Sequence, residues 1–130
     1  HNIEAGSRIL DVGCDTGRIS INLALRGYEV VGIDVVPLFI EDARKKAEML
    51  GVDNVHLILG NAEDLDDFVP KDHFDAILFY WGSVIGYCGR EVDRKVLEKC
   101  FKVTKRNGKL FILRQSNKNY FALLYLSYWE

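Results

Sequence analysis

The sequence is poor in methionine (one), proline (two) and cysteine (three), and it contains no long apolar run. No stretch approaches the ~18 consecutive apolar residues of a membrane-spanning helix, so a membrane partner is not expected. Cys14, Cys88 and Cys100 are odd in number and show neither a CxxC pair nor Cys/His ligand spacing. That pattern argues against a disulfide framework or a zinc site, and reduced thiols in a cytoplasmic protein are the expectation. The only methionine is Met49, the chain opens on His1, and its first residues are polar and unlike a secretory leader. A natural chain that begins upstream is therefore expected. Charge of one sign is scarce too. Seventeen basic against nineteen acidic side chains leave −2, which is no basic footprint for nucleic acid.

What remains suits one packed domain over residues 1–130. Hydrophobic residues make up 48 % and charged residues 28 %, too apolar for a disordered chain. There is no internal repeat, low-complexity stretch or linker. Short apolar runs alternate with segments of helical period, the pattern of a parallel sheet covered by helices. Strands are expected over Arg8–Val12, Glu29–Asp34, Val55–Leu59, Phe74–Tyr80 and Lys109–Gln115. They are apolar nearly throughout, as strands buried on both faces are.

Helices are expected over Arg18–Arg26 and from Pro37 to a stop at Gly51, with Ile40, Ala43, Ala47 and Leu50 on one face. A third should run from Arg90 to Lys105, with Val92, Val96, Cys100 and Val103 on one stripe and the turn Arg106-Asn107-Gly108 after it. The fold class expected is α/β: a doubly wound, mostly parallel sheet of strand order 3-2-1-4-5 with helices on both faces. The aromatic-rich stretch Asn119–Trp129 is expected to be buried, either as a helix on its own sheet or against a second copy of the chain. Strand five would otherwise be an apolar edge able to recruit a homodimer partner.

In such a sheet ligands bind beyond the carboxyl ends of the strands, where strand order reverses. That point is the loop Asp11-Val12-Gly13-Cys14-Asp15-Thr16-Gly17. Its glycines allow close backbone approach, although a tight turn without a ligand uses glycine as well. Asp34 ends the second strand 21 residues after Gly13, where an acid can accept from ribose hydroxyls. The pair points to a nucleoside-bearing ligand. The loop is not the GxGxxG of a dinucleotide site, and an anionic Asp15 would repel a pyrophosphate. It suits a zwitterion carrying an ammonium and a sulfonium, which disfavours an NAD-dependent oxidoreductase.

Five segments then carry a family resemblance. Ile9-Leu10-Asp11-Val12-Gly13-Cys14-Asp15-Thr16-Gly17 resembles motif I of the class I S-adenosylmethionine-dependent methyltransferases, and Val30-Val31-Gly32-Ile33-Asp34 resembles their second motif. Leu59-Gly60-Asn61-Ala62-Glu63-Asp64-Leu65 resembles the third and Phe74-Asp75-Ala76-Ile77-Leu78 the fourth. Lys105-Arg106-Asn107-Gly108-Lys109-Leu110 resembles the turn into strand five. The resemblance runs from about Arg8 to Leu113. It implies a Rossmann-like core that binds S-adenosylmethionine and lacks the flanking elements usual in the family.

The resemblance also implies roles. Asp11 and the backbone of Gly13, Cys14, Asp15 and Gly17 would hold the methionine part of the cofactor, and Asp34 the ribose. Val35 would pack on adenine, while Asn61 and the Ala62 amide would read the adenine edge. Two residues depart from the family: Asp15 stands where glycine is usual, and Asn61 where aspartate is frequent.

The segment from Tyr80 to Tyr87 should lie beside the methyl group. There Tyr80 and Trp81 either attract the cation through their ring faces or simply pack the top of the core. No general base is singled out, so no catalytic residue is assigned. Lacking the Asn-Pro-Pro-aromatic and Pro-Cys signatures of nucleic-acid enzymes, the chain is expected to act on a small molecule. His56 and His73 read as structural or surface residues, and Glu63-Asp64-Leu65-Asp66-Asp67 as a solvated loop rather than a metal site. The alternative reading is a non-catalytic module that binds the cofactor weakly or serves assembly.

Overall fold

The computed structural model describes residues 4–80, 89–115 and 121–127. Its strands are β1 (Arg8–Val12), β2 (Glu29–Asp34), β3 (Val55–Leu59), β4 (Phe74–Tyr80), β5 (Thr104–Gln115) and β6 (Phe121–Ser127). The helices are α1 (Arg18–Leu25), α2 (Pro37–Met49) and α3 (Arg90–Val103), with a 3-10 helix at Ala62–Asp67. The sheet order is β3-β2-β1-β4-β5-β6, and the first five strands run parallel. The expected 3-2-1-4-5 order and its reversal between β1 and β4 are thus present. No helix among the described residues is long and apolar enough to cross a membrane.

Successive side chains of a strand point to opposite faces, and β1 shows how that builds two cores. Leu10 and Val12 join Leu65, Phe79, Val96, Cys100 and Val103, the layer made by α3 and the 3-10 helix. Ile9 packs with Ala76 and Phe111 beside Leu23 of α1. On that same face Ile40, Ala43 and Ala47 of α2 close over Cys14, Ile21 and Leu57. Asp11 shares the parity of Ile9, so β1 sends a carboxylate beneath α1.

Three expectations need correction. The turn at Arg106–Gly108 lies inside β5: Thr104 pairs with Phe74 and Lys109 with Ala76, so Lys105–Gly108 bulge outward opposite Asp75 alone. Asn107 supplies the left-handed φ of 69° that such a bulge requires. Second, α3 ends at Val103, because Thr104 already pairs as a strand residue and its hydroxyl caps the Cys100 carbonyl at 2.6 Å.

Third, strand five is not an edge and the aromatic-rich stretch does not form a helix there. Residues 121–127 add antiparallel to β5, from Gln115 opposite Phe121 to Lys109 opposite Ser127. A helix lying on the sheet would leave the outer amides and carbonyls of β5 unpaired, whereas a strand satisfies them. The self-association route through an open β5 is therefore closed. The remaining residues of that stretch, 119–120 and 128–129, lie outside the described residues.

Candidate functional site

The carboxyl ends of β1, β2 and β3 border a cleft of about 210 Å³. Gly13 forms its floor, and Ile33, Asp34 and Val35 approach from the end of β2. Gly60, Asn61, Ala62 and Glu63 come from the turn after β3, and Val92 and Val96 from α3. The cleft thus gathers five of the candidates, Gly13, Asp34, Val35, Asn61 and Ala62. Val35 presents an apolar side chain that is 59 % exposed, while Ala62 is buried.

Asp34 ties the cleft together. Its carboxylate accepts from the Asp15 amide at 2.8 Å and from the Val36 amide at 3.0 Å. A carboxylate offers about four lone-pair positions, so two remain for a ligand. The rest of the loop is also internally bonded. Gly13 and Cys14 amides share the Ile33 carbonyl at 2.8 and 3.0 Å, and the Gly17 amide reaches the Cys14 carbonyl at 3.0 Å. Thr16 donates to the Asp15 carboxylate at 2.7 Å. Every amide from Gly13 to Gly17 therefore has an acceptor within the chain.

Asp11, Cys14, Asp15 and Gly17 do not line the cleft. Asp11 lies beneath the loop, 1 % exposed, with the Ser20 hydroxyl donating to it at 2.7 Å. Burial pushes its carboxyl up to about 6; the Ser20 bond opposes this, and the Asp34 and Asp15 charges add to it. Cys14 is buried, and burial pushes its thiol far above the usual range, so it is a packing group and not a nucleophile. Asp15 takes φ 58°, the left-handed region, which explains why glycine suits that position and why aspartate, which tolerates it, can stand there.

Gly17 starts α1 at φ 83°, and a β-carbon there would lie 2.8 Å from Cβ of Ala43. Tyr80 is the last residue of β4. Its side chain and the rest of the Tyr80–Tyr87 segment expected beside the methyl group lie outside the described residues.

Asn61 lines the cleft and also has a local structural task. Its side-chain oxygen accepts from the Glu63 amide at 2.9 Å and caps the 3-10 helix, which leaves its NH₂ group and one oxygen lone pair for a ligand. Sequence reasoning missed Val92 and Val96 as lining residues, because they read as the core stripe of a helix. A usable signal was present: in a right-handed crossover the helix after a strand begins at the ligand end of the sheet. His56 and His73 both lie away from the cleft. His56 is exposed on β3, and His73 meets Phe74 edge-on at 4.9 Å.

The buried Asp11 predicts a pH signature. Between the ordinary 3.8 and about 6, the folded chain keeps a proton that the unfolded chain has released. The stability this group contributes is then greatest below that window and falls as pH rises through it. Asp11→Asn removes the titration and keeps a partner for Ser20. The difference in thermal midpoint, variant minus parent, should rise by several degrees from pH 4 to pH 7. A flat difference across a calorimetric pH series would show that Asp11 ionises freely in the folded chain.

Comparison with known proteins agrees with this architecture. The profile of a family described as "Methyltransferase domain" matches residues 3–124. The tRNA (uracil-5-)-methyltransferase homolog A of Homo sapiens is 43 % identical over 63 residues, 48 % of this chain and 10 % of that protein. Putative methyltransferase YqeM of Bacillus subtilis is 34 % identical over 105 residues, covering 79 % of this chain and 40 % of that one. Among solved structures, PKMT2 from Rickettsia typhi in complex with AdoHcy superposes with a TM-score of 0.73 at 29 % identity. That match covers 83 % of this chain and 20 % of the other. The chain thus spans less than half the length of each of these proteins. On the match over residues 3–124 and the shared fold, this chain belongs to the methyltransferase domain family.

Proposed function

We propose that this domain binds S-adenosylmethionine in the cleft and transfers its methyl group to a small-molecule acceptor. The observation that carries the reading is the charge and hydrogen-bond state of the loop. All five amides from Gly13 to Gly17 are committed internally, so the loop has no free donors with which to cradle a pyrophosphate. Asp11, Asp15 and Asp34 stand around it, and among the described residues no lysine or arginine forms an ion pair with any of them. That surround favours a cationic nucleoside over NAD.

The bound cofactor supplies a methyl group already activated by the sulfonium. The chain's own residues then bind and orient. Asp34 accepts from the ribose hydroxyls with its two remaining lone pairs. Val35, Val92 and Val96 present apolar surface to the base, with the Asn61 NH₂ and the Ala62 amide at its edge. Asp11 and Asp15 lower the potential near the cofactor's cationic end without touching the acceptor. Alignment and exclusion of water carry such a displacement, so no dedicated base is required.

The net charge of −2 favours a small molecule, while the human tRNA relative makes nucleic acid the acceptor class to test against it. Calorimetric titration of the chain with S-adenosylhomocysteine should show binding, and NAD should show none at the same concentration. Labelled methyl transfer into a small-molecule pool or into tRNA then separates the acceptors. NAD binding as tightly as S-adenosylhomocysteine would refute the assignment. Failure to bind either would leave the non-catalytic assembly reading. Self-association, where it occurs, has the outer edge of β6 as its route, since no described strand pairs there.

A further inference from the structure

The acidic run Glu63-Asp64-Leu65-Asp66-Asp67 has a use that its solvated appearance in the sequence hides. With Ala62 it forms the 3-10 helix that follows Asn61, Glu63 lining the cleft beside them, and it contacts α3. There Lys95, Lys99 and Lys102, spaced four and three apart, lie along one side of the helix. Lys99 donates to Asp66 at 2.7 Å and Lys102 to its second oxygen at 3.2 Å, while Lys95 sits 3.7 Å from Glu63. The Lys99–Asp66 pair is only 24 and 23 % exposed. The Lys99 ammonium holds the Asp66 carboxyl below the usual carboxylate range.

The two ends of α3 are held differently. At the C-terminal end Cys100 and Val103 are fully buried. The carbonyls of Lys102 and Val103 there accept from the Asp72 and His73 amides at 3.1 and 2.8 Å. At the other end the helix starts at Gly89 with no side-chain cap. That N-terminal half carries Val92 and Val96, the residues that wall the cleft. Val96 is buried and Val92 half-buried; Lys95 ties this half to the 3-10 helix through Glu63, and Lys99, about one turn beyond Val96, ties the helix to it through Asp66.

We infer that Asp66 is a positioning residue for the cleft: by holding Lys99 and Lys102 it fixes how closely the Val92–Val96 wall of α3 approaches the base. The inference rests on the proposed reading of the cleft as the cofactor's site. Asp66 touches no ligand and acts through α3.

The test compares the parent chain with Asp66→Asn, Asp66→Glu and Lys99→Gln. S-adenosylhomocysteine is the probe: its thioether sulfur lacks the sulfonium charge, which keeps the readout on the cleft walls. Asp66→Asn and Lys99→Gln should each weaken its binding by about fivefold, the scale of a networked surface ion pair. Asp66→Glu should recover most of the loss. Added salt should weaken binding by the parent but change Asp66→Asn little. Hydrogen exchange of residues 90–99, measured without ligand, should accelerate in Asp66→Asn.

Equal affinity in the parent and in folded Asp66→Asn overturns the inference. So does faster exchange with unchanged affinity, since the pair would then be merely structural. A parent chain that binds no S-adenosylhomocysteine overturns the cofactor reading instead. Unchanged exchange in residues 90–99 overturns the role of Asp66 whatever the ligand result.

Discussion

Asp34→Ala is expected to weaken S-adenosylhomocysteine binding by about 10- to 100-fold, the scale of lost hydrogen bonds to a charged group. Two losses add in this variant. The ribose hydroxyls lose their acceptor, and the Asp15 and Val36 amides lose theirs, so the loop over Gly13 slackens. Asp34→Asn separates the two. It keeps one acceptor oxygen for the loop but lacks the charge, and its affinity should fall between parent and alanine variant. Isothermal titration of the three proteins, with denaturant unfolding of each, makes the comparison. Affinity in Asp34→Ala equal to the parent's would refute the ribose role, even if stability had dropped.

Gly17→Ala should cost about 2–4 kcal/mol of folding stability, from backbone strain and overpacking together. At φ 83° an L side chain is strained, and the new methyl would sit 2.8 Å from Cβ and 3.5 Å from Cα of Ala43. Ala43 belongs to α2 and is completely buried, so it cannot swing aside as the end of a long side chain would. A chain of this size should lose roughly 10 °C of thermal midpoint. Ala43→Gly removes the collision and leaves the strain. A double-mutant cycle on the two positions should therefore show a favourable coupling that recovers part of the loss. No coupling would mean that φ alone makes Gly17 necessary.

β1 to β4 were legible as short apolar runs bounded by turn residues. The reading of every strand as buried on both faces fails at β3, the sheet edge, where His56 and Leu59 are exposed. Phe121–Ser127 carries no such marker. Its apolar side chains suit a helix or a strand, and only the unpaired edge of β5 decides between them. The acidic 3-10 helix was hidden for a similar reason: the lysine that holds Asp66 lies 33 residues away in the chain. In the cleft, Gly13, Asp34, Val35, Asn61 and Ala62 were readable because strand ends converge on the reversal of strand order. Val92 and Val96 could not be told from a core stripe by their helical spacing; only the start of α3 at the ligand end of the sheet marks them. Asp11 gave half of its story. Its identity marked the loop, while its burial follows from its place on the α1 face of β1.

The stitched state of the loop also bears on how fast a ligand is captured. Each amide from Gly13 to Gly17 already has its acceptor, and Asp34 clips the end of β2 to the turn after β1. The conformational entropy of ordering this turn is lost when the chain folds, and the encounter with the ligand need not repeat that loss. Association through this part of the site should accordingly proceed in one kinetic phase, without a slow ordering step of the turn. Among nucleosides that fit, selectivity would then appear in how long each stays bound and not in how often each arrives.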